Sequence, residues 1–426
     1  MPTGITILLV GAGSSYTPEL IDGLLSRPAD QYPVREIRMQ DPNAERRGIM
    51  AGLAERMIAA SGREITVRQG AELVPLLAGV DFVITQIRVG GMDARYLDES
   101  IPMKYGCLGQ ETTGAGGMFK ALRTIPPMLE IARAVEREAP QAFILNYTNP
   151  SGIITEAVCR HTGARFVGLC AGIPGIQAKA AELLQDRFGE VRSYCVGLNH
   201  LGFIHRFVAG EQDITAAALA RLLELTSQDD EHAGLCAPEY IRVFNAVPIM
   251  YLPYYLHRRQ KLAEWQAKGQ TRAQEIMEIE RSIFAEAADP ATTSKPEALT
   301  KRGGGGYANV TFPMLHAILH DTGEEIACTV PNRGTVADLP AEACVEVVCR
   351  TGREGPAPLP VGEIPLAYRG LVQAVKAYET LTVEAAVTQS RDRVIEALVN
   401  HPLVGDLDTI EPMVDELLAA HGLEYH

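Results

Sequence analysis

The sequence predicts an α/β protein in which a doubly wound parallel sheet is followed by an α+β second half. The first observation is the apolar segment Ile5–Val10, which has the composition of a strand buried on both faces. A glycine turn follows this segment directly. Strand-like and helix-like segments then alternate as far as residue 169, which is typical of a doubly wound sheet.

The turn after the first strand is a candidate nucleotide site. Gly11 and Gly13 lack Cβ, so the backbone can turn sharply and a pyrophosphate can approach the free amides at the start of the next helix. We expect Ser14 or Ser15 to cap that helix. Tyr16 replaces the usual third glycine, so the pattern taken alone also fits an ordinary tight turn.

An acidic residue favours the nucleotide interpretation. The segment 36–40 predicts a second strand that ends at Asp41. In dinucleotide-binding folds an acidic residue at this place holds the ribose hydroxyls of NAD, and its charge would repel the 2′-phosphate of NADP. We therefore expect NAD, with a turn begun by Asp41 and Pro42 as the alternative.

The other segments of the first half place candidate loops at one edge of the sheet. Strands are predicted at 64–68, 81–88, 142–147 and 165–169, and a helix at 128–138. Ligand sites in such sheets lie beyond the carboxyl ends of the strands. Segments 88–95, 146–152 and 169–170 occupy those ends, and the glycine-rich segment 109–117 suits a flexible loop over a ligand. Simple turns are the alternative for each segment.

The second half gives weaker signals. Helices are predicted at 274–287, 371–380 and 410–420, and strands at 193–198, 325–330 and 344–349. The glycines at 303–306 form a loop that either approaches a ligand or is flexible. Residues 356–362 have the composition of a surface connection.

Length and composition indicate a soluble two-domain protein. The chain has 426 residues, 46% of them hydrophobic and 22% charged, and we expect domains at 1–195 and 196–426. A net charge of −14 without a basic tract argues against nucleic acid or membrane as a partner. There is no basic leader and no apolar run of about 18 residues, so we expect a cytoplasmic location.

The cysteines do not suggest a disulfide framework or a closed zinc site. Eight are scattered without CxxC spacing, and most are expected to be reduced core residues. Cys170 follows a predicted strand, and His200 follows the strand at 193–198, so both side chains can enter the same crevice. A thiolate and an imidazole are good metal ligands that leave positions open for substrate, whereas two core residues are the alternative.

These motifs together resemble the family 4 glycoside hydrolases, a group that depends on NAD and a metal, and most closely their 6-phospho-β-glucosidase branch. The matching segments are GAGSSYTPEL at 11–20, IPMKYGCLGQETTGAGG at 101–117, NYTNPSGIITEAV at 146–158, GLC at 168–170, GLNHLGFI at 197–204, YLPYYL at 251–256, LTKRGG at 299–304 and AVKAYETLTVEA at 374–385. The resemblance implies a Rossmann-type NAD-binding domain and a C-terminal catalytic and oligomerisation domain, as in lactate and malate dehydrogenases.

The resemblance also implies a metal centre and a base. Cys170 and His200 match the residues that hold a divalent metal, typically Mn2+ in the family. This pair alone would have suggested zinc, because manganese prefers oxygen ligands, so substrate and water would supply the remaining positions. Tyr251 matches the catalytic base, and Glu111 lies in the active-site loop of the family. From the sequence alone, Tyr251 would instead be a core aromatic residue.

The substrate residues come from the same comparison. Arg95, Asn149 and Arg272 match positions that contact the sugar or its 6-phosphate, and arginine suits phosphate through its paired donors. Ala171 departs from the pattern, because the residue after the metal-binding cysteine is usually Asn in the β branch and Asp in the α branch. The linkage and the need for phosphate therefore stay open, although the missing carboxylate argues against the α branch.

The implied function is hydrolysis of 6-phospho-β-glucosides, such as a cellobiose-6-phosphate-like substrate. The implied steps are NAD-dependent oxidation at C3, deprotonation at C2, elimination of the aglycone, addition of water and re-reduction. The alternatives are a family 4 glycosidase of other linkage or for unphosphorylated sugars, a 2-hydroxy-acid dehydrogenase, and a non-catalytic sensor of NAD and sugar phosphate. We expect a homodimer or homotetramer.

Overall fold

The computed structural model describes residues 4–229, 232–303 and 305–426. Its strands are β1 (Ile5–Val10), β2 (Val34–Gln40), β3 (Thr66–Gly70), β4 (Phe82–Thr85), β5 (Phe143–Asn146), β6 (Arg165–Gly168), β7 (Val191–Leu198), β8 (Leu201–Ala209), β9 (Gln212–Asp213), β10 (Val247–Pro248), β11 (Glu324–Pro331), β12 (Cys344–Gly352) and β13 (Gly355–Pro358).

The helices alternate with these strands in the first half and dominate the second. They are α1 (Thr17–Leu25), α2 (Ala44–Ser61), α3 (Gly91–Lys104), α4 (Gly114–Glu138), α5 (Ser151–His161), α6 (Gly172–Phe188), α7 (Thr215–Gln228), α8 (Pro238–Phe244), α9 (Leu252–Leu256), α10 (Arg258–Lys268), α11 (Arg272–Ala288), α12 (Ala308–His320), α13 (Leu366–Thr388), α14 (Arg391–Asn400) and α15 (Leu407–His421). Short 3₁₀ turns lie at Val74–Leu76, His232–Gly234 and Glu297–Lys301. No helix in these described ranges has both the length and the apolar character needed to cross a bilayer.

A parallel sheet forms the centre of the first half. Its strands lie in the order β3-β2-β1-β4-β5-β6, and every neighbouring pair is parallel. β1 is buried along its whole length, as its apolar composition predicted. The order reverses direction at β1, so the carboxyl ends of β1 and β4 flank the crevice where ligands bind in such sheets. The predicted doubly wound fold is confirmed.

The second half completes this sheet. β11 pairs antiparallel with β6, and β12 and β13 continue the sheet outward. A separate antiparallel sheet contains β7, β8 and β10, with β9 added beside β8. The domain boundary expected between residues 195 and 196 lies inside β7, and the residues beyond it contribute strands to both sheets.

One loop prediction was wrong in part, and one segment expected at the crevice contains the start of a helix. The glycine-rich segment 109–117 was expected to be a flexible loop, but its last four residues form the buried first turn of α4. A Cβ on Gly116 would lie 2.3 Å from the carbonyl oxygen of Asp98, so this glycine permits close packing of α4 on α3. In the segment 88–95, residues 91–95 are already helical.

The prediction of a surface connection at 356–362 was also wrong for part of this segment. Its first residues belong to β13, which pairs with β12 at the edge of the large sheet. Pro356 and Pro358 are tolerated there because an edge strand leaves one row of backbone N–H positions without a partner strand. In the glycine loop at 303–306, Gly304 lies outside the described residues.

Candidate active site

Two clefts open at the carboxyl ends of the parallel strands. The first has a volume of about 620 Å³ and lies over the glycine turn, and the second has a volume of about 580 Å³ and lies beside Cys170 and His200. The residues that line both clefts are Tyr16, Arg88, Tyr147, Asn149, Arg302 and Tyr307. These shared residues mark a junction at which a ligand in one cleft would touch a ligand in the other.

The glycine turn is shaped by the sheet beneath it. Gly11 has a φ of +82°, and a Cβ there would lie 2.9 Å from backbone atoms of Gln86 and Ile87. The N–H groups of Gly11 and Ala12 both donate to the carbonyl oxygen of Gln40 at 2.9 Å. Glycine is therefore required at position 11 for the packing of the turn itself.

Asp41 lies beside this turn, at the end of β2. Its Oδ2 accepts the N–H of Gly13 at 2.9 Å, and its Oδ1 accepts the N–H of Asn43 at the same distance. An ionised carboxylate offers about four acceptor positions, so capacity remains for two ribose hydroxyls. A Cβ on Gly13 would lie 2.9 Å from Oδ2, so glycine keeps this contact open. The turn and the carboxylate fit NAD.

The two serines after the turn do not cap the helix, which corrects our expectation. The N-cap of α1 is Tyr16, and no side chain accepts a capping hydrogen bond there. The Ser14 hydroxyl accepts the N–H of Tyr16 at 3.2 Å, and the Ser15 hydroxyl donates to Glu280 at 2.8 Å. α1 begins at Thr17, and Ser14 is used within the turn that precedes it.

Glu280 of α11 connects the nucleotide cleft to the second half. Besides Ser15, it contacts Arg46 and Arg302, each at 3.2 Å. Arg302 is 7% exposed, and its guanidinium lies 4.1 Å from the centre of the Tyr16 ring. The Tyr16 hydroxyl donates to the carbonyl oxygen of Gly303. The junction is thus held by contacts between distant parts of the chain.

Cys170 and His200 come together in the second cleft. Cys170 follows β6, and His200 occupies the turn between β7 and β8 with a φ of +67°. A non-glycine residue in this region is strained, which is common at functional sites. The Cys170 Sγ lies 3.9 Å from His200 Nε2. The two atoms are close enough together for both to bind one metal ion.

The surroundings of this pair favour a cation as a third member. Burial raises the pKa of the Cys170 thiol to about 12 and lowers the pKa of His200 to about 4. A neutral imidazole is ready to bind a metal, and the thiolate needs a nearby positive charge. Within the described part of the chain, no three His, Cys, Asp or Glu side chains form a closed metal site. The pair fits a metal whose other positions are open.

Tyr251 lies against this pair, just before α9. The centre of its ring is 4.3 Å from that of His200. Burial raises the pKa of the Tyr251 hydroxyl above its usual value of 10, and the neighbouring Cys170 adds to the shift. Without a cation the hydroxyl therefore keeps its proton.

Glu111 occupies the centre of a cationic cluster. Its carboxylate lies 2.6 Å from Arg88, 3.0 Å from Arg95 and 2.8 Å from Lys120. Burial alone would raise the pKa of Glu111, but the three cations outweigh it and hold the pKa well below its usual value. Arg95 also contacts Glu99 at 2.7 Å. Glu111 is therefore ionised and faces the second cleft.

The predicted substrate residues also line the second cleft. Arg272 donates to the carbonyl oxygen of Arg302 at 2.8 Å and contacts Glu275 at the same distance, and its side chain is 47% exposed. Asn149 lines both clefts, and Ala171 lines the second. All the predicted site residues except Ser15 line one cleft or the other, and Ser15 is held beneath the first by Glu280.

The sequence interpretation missed Arg88, Lys120 and Arg302. Arg88 begins a segment that the strand pattern did place at the crevice, so its position was available. Lys120 is one of two basic residues, with Arg123, among the buried and mostly apolar residues of α4, which is unusual enough to be a signal. Arg302 lies in the matching segment LTKRGG, but its partners Glu280 and Tyr16 are far away in the sequence and could not be inferred from that segment.

Comparison with known proteins gives consistent matches. The sequence model of the family 4 glycosyl hydrolases matches residues 6–186. The model of the C-terminal domain of the same family matches residues 195–404. A probable 6-phospho-β-glucosidase of Bacillus subtilis is 36% identical over 99% of this chain and 97% of its own length. The 6-phospho-β-glucosidase of Escherichia coli is 34% identical over 99% and 96%. A 6-phospho-α-glucosidase of Lacticaseibacillus paracasei is 31% identical over 98% and 97%.

Solved structures agree with these relatives. Two structures of the 6-phospho-β-glucosidase from Thermotoga maritima match with TM-scores of 0.89 and 0.88, each at 31% identity over 98% of both chains. One was solved with NAD and glucose-6-phosphate, the other with manganese, NAD+ and glucose-6-phosphate. A lactate dehydrogenase from Eimeria maxima shares the fold alone, with a TM-score of 0.52 and 16% identity over 91% of this chain and 95% of its own. The chain belongs to family 4 of the glycosyl hydrolases.

Proposed function

We propose that the protein hydrolyses 6-phospho-β-glucosides by oxidation at C3 and elimination across C1 and C2. The observation that carries this proposal is the junction of the two clefts. A nucleotide in the first cleft and a sugar in the second would meet there, close to Cys170, His200 and Tyr251. The names of the relatives at 34–36% identity support a phosphorylated β-glucoside as the substrate.

Each predicted residue has a place in this reaction. Gly11, Gly13 and Asp41 hold the nucleotide, and Cys170 with His200 holds a divalent metal, for which Mn2+ is our proposal. When bound, NAD accepts and returns the hydride at C3, and the metal polarises the oxygen on that carbon. The C3 ketone acidifies the C2 proton, the aglycone then leaves from C1, and water adds before C3 is reduced again.

Tyr251 removes the C2 proton in this proposal. Its hydroxyl is protonated in the buried site, because burial raises its pKa. A general base at neutral pH needs a lower pKa, which a cation beside Cys170 and His200 would provide. The distance of 4.3 Å between the ring centres of Tyr251 and His200 supports this role.

The phosphate site is proposed at Arg272 and Arg95. In the described part of the chain, Arg272 and Lys268 both form ion pairs with one carboxylate, Glu275, so a positive charge remains for a phosphate. Arg95 is shared between Glu99 and Glu111, which together neutralise its charge. It is therefore better placed to orient the phosphate than to supply net positive charge. The β linkage is proposed because Ala171 provides no carboxylate to act as an acid there.

The decisive experiment combines a substrate screen with isotope labelling. Chromogenic α- and β-glucosides, each with and without 6-phosphate, would be assayed with Mn2+ and with or without NAD+. We expect cleavage of the phosphorylated β-glucoside alone, a requirement for NAD+ without net NADH formation, and product from D2O that carries deuterium at C2. Tyr251→Phe should abolish turnover and the C2 label while NAD+ binding is retained, and Tyr254→Phe serves as the matched control.

The other outcomes identify the alternatives. NADH that accumulates in proportion to product would indicate a 2-hydroxy-acid dehydrogenase, and binding without turnover would indicate a sensor. Cleavage without NAD+, or product from D2O that lacks the C2 label, would exclude the elimination route.

We also propose a cytoplasmic homo-oligomer with a nucleotide domain at 1–195 and a catalytic domain at 196–426. A reducing compartment suits a reaction that relies on a free thiol at Cys170. Size-exclusion chromatography with light scattering would distinguish a dimer from a tetramer.

A further inference from the structure

Lys120 is a buried lysine at the boundary between the two clefts. Its side chain is 4% exposed, and its neighbours on α4 include the fully buried Phe119 and Leu122. Lys120 lines the nucleotide cleft, whereas Glu111, at 2.8 Å from its Nζ, lines the substrate cleft. A buried lysine in an apolar environment is costly, so its position at this boundary calls for a chemical reason.

The charges around Lys120 do not balance. Among the described residues, Arg88, Arg95 and Lys120 form ion pairs with two carboxylates, Glu111 and Glu99. Glu280 also attracts Arg88, but it is already paired with Arg46 and Arg302. Arginine keeps its proton in proteins, so Lys120 is the member of this cluster that can release one. Burial is the main cause that lowers the pKa of Lys120 to about 7, and the two arginines oppose the attraction of Glu111.

Other charged groups nearby are neutralised separately. Arg123 of α4 binds Asp98 of α3 through paired contacts of its two terminal nitrogens. On α5 and α13, a second buried network joins the charged groups Glu156, Lys376 and Glu379. His200 also faces the cluster, but burial keeps it neutral by lowering its pKa to about 4. The surplus positive charge thus belongs to the cluster around Glu111.

We propose that Lys120 is the base that accepts the proton of the C3 hydroxyl when the sugar is oxidised. This inference rests on the proposed function and deepens it, since removal of hydride from C3 requires a group to take the hydroxyl proton. Glu111 accepts a hydrogen bond from the Lys120 Nζ at 2.8 Å and so holds the amine in the wall between the two clefts. The ammonium form would raise the barrier to oxidation, and the neutral amine lowers it.

The step balances in atoms and electrons. The O–H bond at C3 breaks, its proton forms the third N–H bond of Lys120, and its electron pair forms the second C–O bond. The C3–H bond breaks with its pair, which reduces NAD+ to NADH. After water has added at C1, NADH reduces the ketone and the Lys120 ammonium returns its proton to the oxygen, so that neither group is consumed.

A binding experiment tests the role of Lys120 without turnover. NAD+ carries a positive nicotinamide, so its arrival beside Lys120 should expel the lysine proton. Calorimetry at pH 7 in buffers with different ionisation enthalpies should show proton release on NAD+ binding by the wild type. Lys120→Met should lose that release and still bind NAD+, and the exposed Lys104→Met should behave as wild type. Equal proton release by the wild type and Lys120→Met would overturn the inference.

A kinetic experiment separates a base from a positioning residue. Lys120→Ala should lower turnover about 100-fold or more, and added methylamine or ethylamine should restore it in a saturable manner that follows the pKa of the amine. Lys120→Arg keeps the buried charge and guards against a folding defect, and it should be inactive and not respond to amines. A variant within twofold of the wild type, or one that amines do not rescue, would overturn the role.

The two proposals fail in different ways. If the wild type cleaves the phosphorylated β-glucoside with NAD+ and Lys120→Ala does too, only the role of Lys120 is wrong. If the wild type does not cleave it, the proposed function is wrong and this inference falls with it, whatever the calorimetry shows.

Discussion

At the scale of single residues, burial shifts the pKa values of Cys170 and His200 in opposite directions. The thiol pKa is raised to about 12 and the imidazole pKa is lowered to about 4, so both side chains are neutral in isolation. A divalent cation between them would favour the thiolate through direct charge attraction while using the imidazole as it stands. These pKa shifts are compatible with the proposed metal site.

Replacement of the thiol tests this interpretation. Cys170→Ser should lose bound Mn2+ and nearly all activity, because a serine hydroxyl is a poor substitute for a thiolate ligand. NAD+ binding should be retained, since the glycine turn and Asp41 lie in the other cleft. Metal analysis after gel filtration would measure the bound Mn2+. Calorimetric titration would measure the binding of NAD+. Cys236→Ser is the matched control, and full metal occupancy in Cys170→Ser would contradict the assignment.

At the scale of secondary structure elements, predictions succeeded where the signal was local and periodic. The helices predicted at 128–138, 274–287, 371–380 and 410–420 lie within α4, α11, α13 and α15. The start of α4 was predicted wrongly because a glycine-rich segment can serve either of two purposes. The missing Cβ atoms can make a loop flexible, or they can let two backbones pack closely. Only the neighbouring backbone of α3 distinguishes the two, and it is not visible in the local sequence.

A substitution in the first turn of α4 tests this packing role. A Cβ on Gly116 would lie 2.3 Å from the oxygen of Asp98 and 2.6 Å from that of Gln110, both of them backbone atoms. Gly116→Ala should therefore destabilise the protein by at least about 2 kcal/mol and reduce activity by shifting Glu111.

Denaturant unfolding would measure the loss of stability caused by Gly116→Ala. Gly370→Ala in α13 is the control, because a Cβ at that position would have open space within 4 Å. It should raise stability by about 0.5–1 kcal/mol. Equal stability of Gly116→Ala and wild type would show that the glycines serve flexibility after all.

At the scale of the whole molecule, the sheet joins both halves of the chain. The parallel strands were predictable because each βα unit is a local pattern. The extension by β11 was not, because it joins strands distant in sequence through the pairing of Thr329 with Gly168. The same holds for the site: the end of each strand was predictable, whereas contacts such as Arg302 with Glu280 depend on the final packing.

One buried carboxyl should make the stability of the whole protein depend on pH. Burial, reinforced by Glu379, raises the pKa of Glu346 on β12 from 4.5 to about 8. The folded state then holds a proton that the unfolded chain releases above pH 4.5. Stability is therefore fully present below about pH 4.5 and is lost as pH rises through 8.

The metal-free and nucleotide-free protein suits the measurement of this effect. Glu346→Gln should match the wild type at pH 5 and exceed its free energy of unfolding at pH 9 by a few kcal/mol, on the order of 4. Denaturant titrations at pH 5, 7 and 9 would show the trend, with the exposed Glu342→Gln as control. A difference between variant and wild type that does not grow with pH would contradict it.

The strand that completes the large sheet comes late in the chain, and this affects the protein during its synthesis. When β6 has left the ribosome, its open edge has no partner until β11 is made, about 150 residues later. At roughly 5–20 residues per second, that edge waits on the order of 10–30 s. An unpaired edge strand is a template for wrong pairing with other chains. The nascent chain thus has a defined window in which a chaperone would protect it, and a fragment that stops before β11 would never leave that window.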